Sequence, residues 1–127
     1  MLVIRKAEVL LQLRSQHTHH GNTWSIPGGA REEGESPQIA ALREAHEEVG
    51  LSPDDVEVIA EFVDDHGGWS YTTVVARMIR PAELTQNYES ARLEWIGTSE
   101  VTSVLLHDGF AASWPSVLPL VEPWTEG

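Results

Sequence analysis

Residues 28–51 read GGAREEGESPQIAALREAHEEVGL, and the rest of the chain is best read outward from them. Six acidic residues, Glu32, Glu33, Glu35, Glu44, Glu47 and Glu48, stand here against two arginines, Arg31 and Arg43. The second half predicts a helix. Ser36 suits the N-cap, Pro37 the first helical position, and Gly50 the left-handed residue after the end. At 100° per residue, Glu44, Glu47 and Glu48 share one face by the i, i+3, i+4 rule. Ile39, Leu42 and Val49 fall opposite and are expected to be buried. Like charges at this spacing cost a helix about 0.2–0.5 kcal/mol per pair. A hard divalent cation with oxygen ligands would offset that cost, and Mg²⁺ favours carboxylates combined with substrate phosphates.

Composition narrows the function classes. At 127 residues the chain is expected to form one domain, 1–127, burying roughly two-thirds of its unfolded surface. It has no cysteine, which excludes a disulfide framework and suits a reducing compartment, so a cytoplasmic protein is expected. No apolar run reaches the ~20 residues of a membrane span, and Arg5, Lys6 and Glu8 interrupt the apolar start, so neither membrane nor anchor is expected. The net charge of −12 repels nucleic-acid backbones, so no nucleic-acid polymer is expected as partner. The same charge would repel a free nucleotide. An anionic substrate therefore needs bridging metal or local arginines.

Before the acidic stretch, Leu2–Arg5 and Val9–Arg14 read as two short neighbouring strands. Ser15–Thr23 carries His17, His19 and His20, either a polar loop or an incomplete zinc-type cluster. Pro27-Gly28-Gly29 is a turn whose glycines let a ligand approach the backbone. After it, Val56–Asp64 and Trp69–Ile79 predict an antiparallel hairpin, and Ala91–Ile96 a further strand. Trp69 and Tyr71 could stack on a nucleobase or serve as cross-strand core residues. Ser99 is expected to cap a brief helix at Glu100-Val101. Phe110, Trp114, Val117, Leu118 and Val121 recur at helical spacing, with Pro115 expected to kink or split that helix after Trp114. Glu122–Gly127 is expected to be a loose tail. The order of elements describes an α+β domain with a mixed sheet.

Gly29, five residues, Glu35, seven residues, Arg43-Glu44-Ala45, His46, Glu47-Glu48, Val49, Gly50-Leu51 resembles the signature of the MutT-like Nudix hydrolases at every fixed position. Eight or nine fixed positions across residues 29–51 make this far more specific than a lone glycine-rich loop. The resemblance implies an αβα sandwich around a mixed sheet, with the signature as a loop–helix–loop. The first strand here is shorter than the family's usual one, which suggests a clipped and weaker sheet edge. Nudix enzymes are often dimers, and a partner copy covering that edge would make a homodimer.

The resemblance also implies roles. Glu44, Glu47 and Glu48 would bind Mg²⁺, with Mn²⁺ a substitute, joined by the carbonyl of Gly28 and by Glu89, six residues before Trp95. Glu94 is the rival to Glu89. Glu44 or Glu47 would act in catalysis as ligand or general base, and Arg43 would orient Glu44 through bidentate contacts. Glu35 would support that network or join the metal shell. Arg14, Phe110 and Trp69 are candidate substrate contacts. Arg14 reads equally as a solvated strand-end charge, and Phe110 also fits the apolar helix stripe. The turn at His107–Phe110 is where such enzymes often contact the base. Glu32 and Glu33 match no fixed position and read as surface charge, and His46 as a partly buried structural residue. The implied chemistry is Mg²⁺-dependent hydrolysis of a phosphoanhydride in a small nucleoside diphosphate derivative, with a nucleoside-triphosphate pyrophosphatase leading. An ADP-ribose or dinucleotide pyrophosphatase and a non-catalytic nucleotide sensor are the alternatives.

Overall fold

Alternation along the first strands sets the layers of the molecule. The computed structural model describes residues 1–14, 22–27, 32–65, 70–85 and 90–125. Strand β1 (Leu2–Arg5) turns at Lys6, whose φ of 53° makes the tight reversal, into β2 (Glu8–Arg14). Leu2, Ile4, Val9 and Leu11 face one side of the sheet, while Met1, Val3 and Leu10 face the other. Successive strand residues point to opposite faces, so both faces are apolar and both must be covered.

The remaining strands are β3 (Trp24–Ser25), β4 (Val56–Asp65), β5 (Ser70–Met78) and β6 (Ser90–Gly97). β1 runs parallel to β5 through Leu2, Val3 and Ile4, and the other strand-to-strand ladders among the described residues are antiparallel. β2 pairs with β6 along its whole length, with β1 through Val9 and Glu8, and with β3 through Leu13 and Gln12. A strand has only two edges, so β1 and β3 share one side of β2 and β6 takes the other. The expected clipped edge is therefore corrected. β1 is short but lies between β2 and β5, and Leu2, Val3 and Ile4 are buried to 1% exposure or less. Its shortness needs no partner copy to cover it.

One face of the sheet carries helix α1 (Pro37–Val49) and the other α2 (Asp108–Thr125), giving the αβα layering of an α+β fold. Ser36 accepts the Ile39 N–H at 3.1 Å and Pro37 opens the α1 helix, as its sequence predicts. Gly50, at φ 73°, ends it by donating to the His46 carbonyl, and the Leu51 N–H meets the carbonyl of Ala45. The Thr85 N–H caps the Val49 carbonyl at 2.8 Å, which fastens the segment after β5 to the end of α1. The buried side differs from the expected stripe. Ala40, Ala45 and Val49 are buried with Leu42 partly so, whereas Ile39 is 57% exposed. Small alanines let the helix lie close on the sheet, and that rotation also turns His46 out to solvent.

Helix α2 runs unbroken through Pro115, Pro119 and Pro123, against the expected break after Trp114 and the expected loose tail. All three prolines lie on the solvent side. The carbonyls they leave without an N–H, those of Ala111, Pro115 and Pro119, face water as well, while Phe110, Trp114, Val117 and Val121 hold the other side in the core. The start of α2 is capped by His107, whose Nδ1 accepts the Gly109 N–H at 3.1 Å. Before it, Val101–Ser103 forms a 3₁₀ turn with Glu100 at its N-cap position and no side-chain cap, so Ser99 does not play the role expected of it.

Candidate active site

The site grows from the loop into α1. Glu32 to Glu35 close a turn in which the Glu35 N–H donates to the Glu32 carbonyl at 3.1 Å, and Gly34 supplies the φ of 83° that the turn requires. The Glu32 N–H returns to Glu35 Oε1 at 2.6 Å. This turn aims the Glu35 carboxylate at the second turn of the helix, where Arg43 projects. Arg43 Nε and Nη2 bind Glu35 Oε2 and Oε1 at 2.7 and 2.9 Å, a bidentate fork. Arg43 Nη1 donates to Glu44 Oε1 at 2.8 Å and to Glu47 Oε2 at 3.2 Å. Glu32 Oε1 stands 3.7 Å from the same nitrogen. One guanidinium thus gathers four carboxylates.

The electrostatics follow from this fork. Hydrogen bonds from Arg43, and then from the Glu32 N–H, hold the Glu35 carboxyl down to about 2. The same Glu35 contact raises Arg43 further above its ordinary range. Arg43 is thus bound to Glu35, Glu44 and Glu47 at once. Across the sheet surface, the buried Met1 amine donates to the Pro27 carbonyl. Burial lowers that amine to about 5, against the opposing pull of Glu48 and Glu44. The Pro27 turn and the Glu44–Glu48 face of α1 are thus neighbours.

Arg43 brings Glu35, Glu44 and Glu47 together. Gly28, Trp69, Glu89 and the histidines 17, 19 and 20 lie outside the described residues. Arg14 sits at the end of β2 opposite Ser90, beside a register shift in the β2–β6 ladder, and its side chain lies outside the description. Phe110 is not brought to the site. Its ring is buried at 5% exposure and packs 5.8 Å from the ring of Trp114, which corrects it from a base contact to core. Glu94 pairs across the ladder with Leu11, whose side chain lies in the core beneath α2. Cross-strand neighbours share a face, so Glu94 is on the side of the sheet away from α1. It bonds Arg92 instead.

Glu32, which reads as surface charge in sequence, joins this set through Arg43. The signal was local: Glu32-Glu33-Gly34-Glu35 has glycine at the third position of a turn, which folds Glu32 back onto Glu35. Whether the set suits a divalent cation is a matter of donor chemistry. Glu44 and Glu47 each give one oxygen to Arg43 and keep a second, and carboxylate oxygens are the donors that Mg²⁺ prefers. Among the described residues, however, no three carboxylates or imidazoles converge as a ready-made cage. The donors fit in kind, and their gathering requires side-chain rotation away from Arg43.

A family model described as the NUDIX domain matches the chain over residues 1–117. The chain belongs to the Nudix hydrolase family. Similar to this Nudix chain is a Mycobacterium tuberculosis protein named "Putative 8-oxo-dGTP diphosphatase 3", 44% identical over 124 residues, 88% of this chain and 57% of that protein. The chain is also 38% identical over 111 residues to a Bifidobacterium longum protein named "Nucleoside triphosphate pyrophosphatase/Nudix hydrolase fusion protein", over 84% of this chain and 23% of that one. It spans little more than half the length of the mycobacterial relative and under a quarter of the second. The crystal structure of a Nudix hydrolase from M. Smegmatis, RenU, superposes with a TM-score of 0.84 at 40% identity, over 91% of this chain and 76% of that one. The C. elegans Ap4A hydrolase, at a TM-score of 0.77 and 17% identity, shares the fold. No helix among the described residues is long and apolar enough to cross a membrane.

Proposed function

We propose that this Nudix chain is a divalent-metal-dependent pyrophosphohydrolase acting on a small nucleoside diphosphate derivative. The leading substrate is a nucleoside triphosphate, cut to a monophosphate and pyrophosphate. The observation that carries the reading is the Arg43 fork, which binds Glu35 through two bonds and draws Glu44 and Glu47 together on one helix. A surface helix of solvated glutamates would not need a 23% exposed arginine committed to its own acids. Glu44, Glu47 and Glu48 would hold Mg²⁺ or Mn²⁺, with the Gly28 carbonyl and Glu89 as further candidates. When bound, such a cation neutralises charge that develops on phosphoryl oxygens and acidifies a bound water.

The protein's own groups do the rest. Arg43 fixes the rotamer of Glu44, which is 18% exposed and placed to accept a proton or hold a ligand. The net charge of −12 leaves substrate phosphates dependent on cations at the site. The names of the mycobacterial and bifidobacterial relatives support a triphosphate, and the former an oxidised purine. We extend the reading to 8-oxo-dGTP on that ground. The test is a panel of canonical and oxidised triphosphates, ADP-ribose, dinucleotides and nucleotide sugars with Mg²⁺ and with Mn²⁺. Pyrophosphate release from a triphosphate supports the reading. Preference for ADP-ribose or a dinucleotide replaces it, and binding without turnover of any member makes the chain a sensor.

A further inference from the structure

On the α1 face of the sheet lies a recess of about 340 Å³. Among the described residues it is lined by Leu10, Leu93 and Trp95 of the sheet and by Ala82 and Leu84 of the segment after β5. Leu10 pairs with Trp95 across the β2–β6 ladder, so their side chains share one face and form the floor. Leu10, Leu84, Leu93 and Trp95 pack into the cluster that holds Met1, Val3, Ala45 and Val49 beneath the helix. β1, β2 and β6 stand side by side, which puts Trp95 two strand spacings, about 10 Å, from the β1 residues under α1. Met1, in the same cluster, has its amine within the electrostatic reach of Glu48 and Glu44. The recess thus continues the floor of the acidic site outward from the helix.

The segment that walls it is anchored at both ends. Arg80 donates Nε and Nη2 to the Asp54 carbonyl at 3.0 and 2.8 Å, and its Nε stands 3.3 Å from Asp55 Oδ1. The Thr85 N–H holds the Val49 carbonyl at 2.8 Å. Ala82 and Leu84 lie between these anchors, so the recess is formed before anything enters it, as small-molecule sites usually are. Its volume lies within the range of such sites, about 300–1,000 Å³. The indole N–H of Trp95 is the one polar side-chain atom among these five residues, so the lining serves neither an ordered water nor a phosphate. Arg5 Cζ lies 4.2 Å from the centre of the Trp95 ring while Nη2 bonds Glu8 at 3.0 Å, which steadies the indole as a stacking surface. Phe110, the expected base contact, is in the core on the other face of the sheet. We propose that the recess beside Trp95 binds the nucleobase of the substrate while its phosphates lie along the Glu44–Glu48 flank of α1. The inference rests on the nucleotide reading above and adds where specificity for the base is set.

Ala82 is half-buried in the wall, and tryptophan there would fill the recess from its side. Ala82→Trp and Trp95→Leu are to be compared with wild type on 8-oxo-dGTP and on 2-deoxyribose 5-triphosphate, which keeps the phosphates and lacks the base. Each variant is expected to raise KM for 8-oxo-dGTP by about tenfold or more, the scale of one lost base–aromatic stack, with kcat held within about twofold. On the base-free triphosphate kcat/KM should match wild type. Equal losses on the two substrates would make the recess structural and overturn the assignment. An unchanged KM for 8-oxo-dGTP in Ala82→Trp overturns it as well, and that variant decides alone if Trp95→Leu melts below the assay temperature. A wild type that cleaves neither triphosphate refutes the nucleotide reading itself, and this inference with it.

Discussion

Arg43 grips Glu35 through two parallel hydrogen bonds, Nε to Oε2 at 2.7 Å and Nη2 to Oε1 at 2.9 Å. The fork ties the loop before α1 to the second turn of the helix, so the loop and the acidic face move as one body. Bidentate geometry is what lysine could not supply at this position.

The fork makes stability depend on acid. Glu35 is held to about 2 in the folded chain against 4.5 ordinarily. A depressed carboxyl stabilises the fold fully above the unfolded value and loses that contribution as pH falls through the folded one. The loss is therefore expected between about pH 5 and about pH 2. Melting curves across this range should fall less steeply for Glu35→Gln than for wild type. Parallel curves would remove Glu35 from the acid response.

The helix glutamates should separate chemistry from folding. Glu47→Gln and Glu48→Gln are each expected to lower metal-dependent hydrolysis by at least about a hundredfold, beyond the usual effect of groups around a metal site. Circular dichroism should stay native, since Glu47 is 56% exposed and leaves no cavity. Turnover close to wild type in either variant would sink the metal assignment.

Two glycines in left-handed conformation offer a matched comparison. Gly34 and Gly50 have φ of 83° and 73°, and a Cβ at Gly34 would meet nothing within 4 Å, whereas one at Gly50 would lie 2.8 Å from Thr85 Oγ1. Gly34→Ala should cost about 1–2 kcal/mol from conformation alone. Gly50→Ala should cost more in urea unfolding, because Thr85 is also held to the Val49 carbonyl and cannot easily withdraw. Equal losses would mean the Thr85 side chain yields without cost.

The prolines of α2 predict a gain. Pro119 lies mid-helix on the solvent side, and alanine there restores an N–H for the Pro115 carbonyl. Pro119→Ala should raise unfolding free energy by about 1–3 kcal/mol, part of the helix penalty being returned by the freer unfolded chain. A lower stability would show that the proline ring packs usefully where it stands.

Local chemistry and tertiary packing divided the determination of this protein between them. Residues 28–51 alone determined that α1 exists, where Ser36 starts it and Gly50 ends it, and that Arg43 sits among carboxylates, because caps and i, i+4 spacing act within a few residues. The β4–β5 hairpin was legible for the same reason. Packing decided what lies far apart in sequence. Val75 is 73 residues from Leu2 in sequence, yet it pairs with it, so β5 sits beside β1 and turns a short first strand into a buried one. The rotation of α1 onto its alanines, which sent Ile39 and His46 outward, depended on how closely a sheet could approach. The continuity of α2 depended on which face of it met the core, since a proline in solvent leaves its orphan carbonyl to water. Glu94 is the rival to Glu89 in sequence, and the register against Leu11 puts it on the far side of the sheet. Glu32 joined Arg43 because a turn folded back on itself.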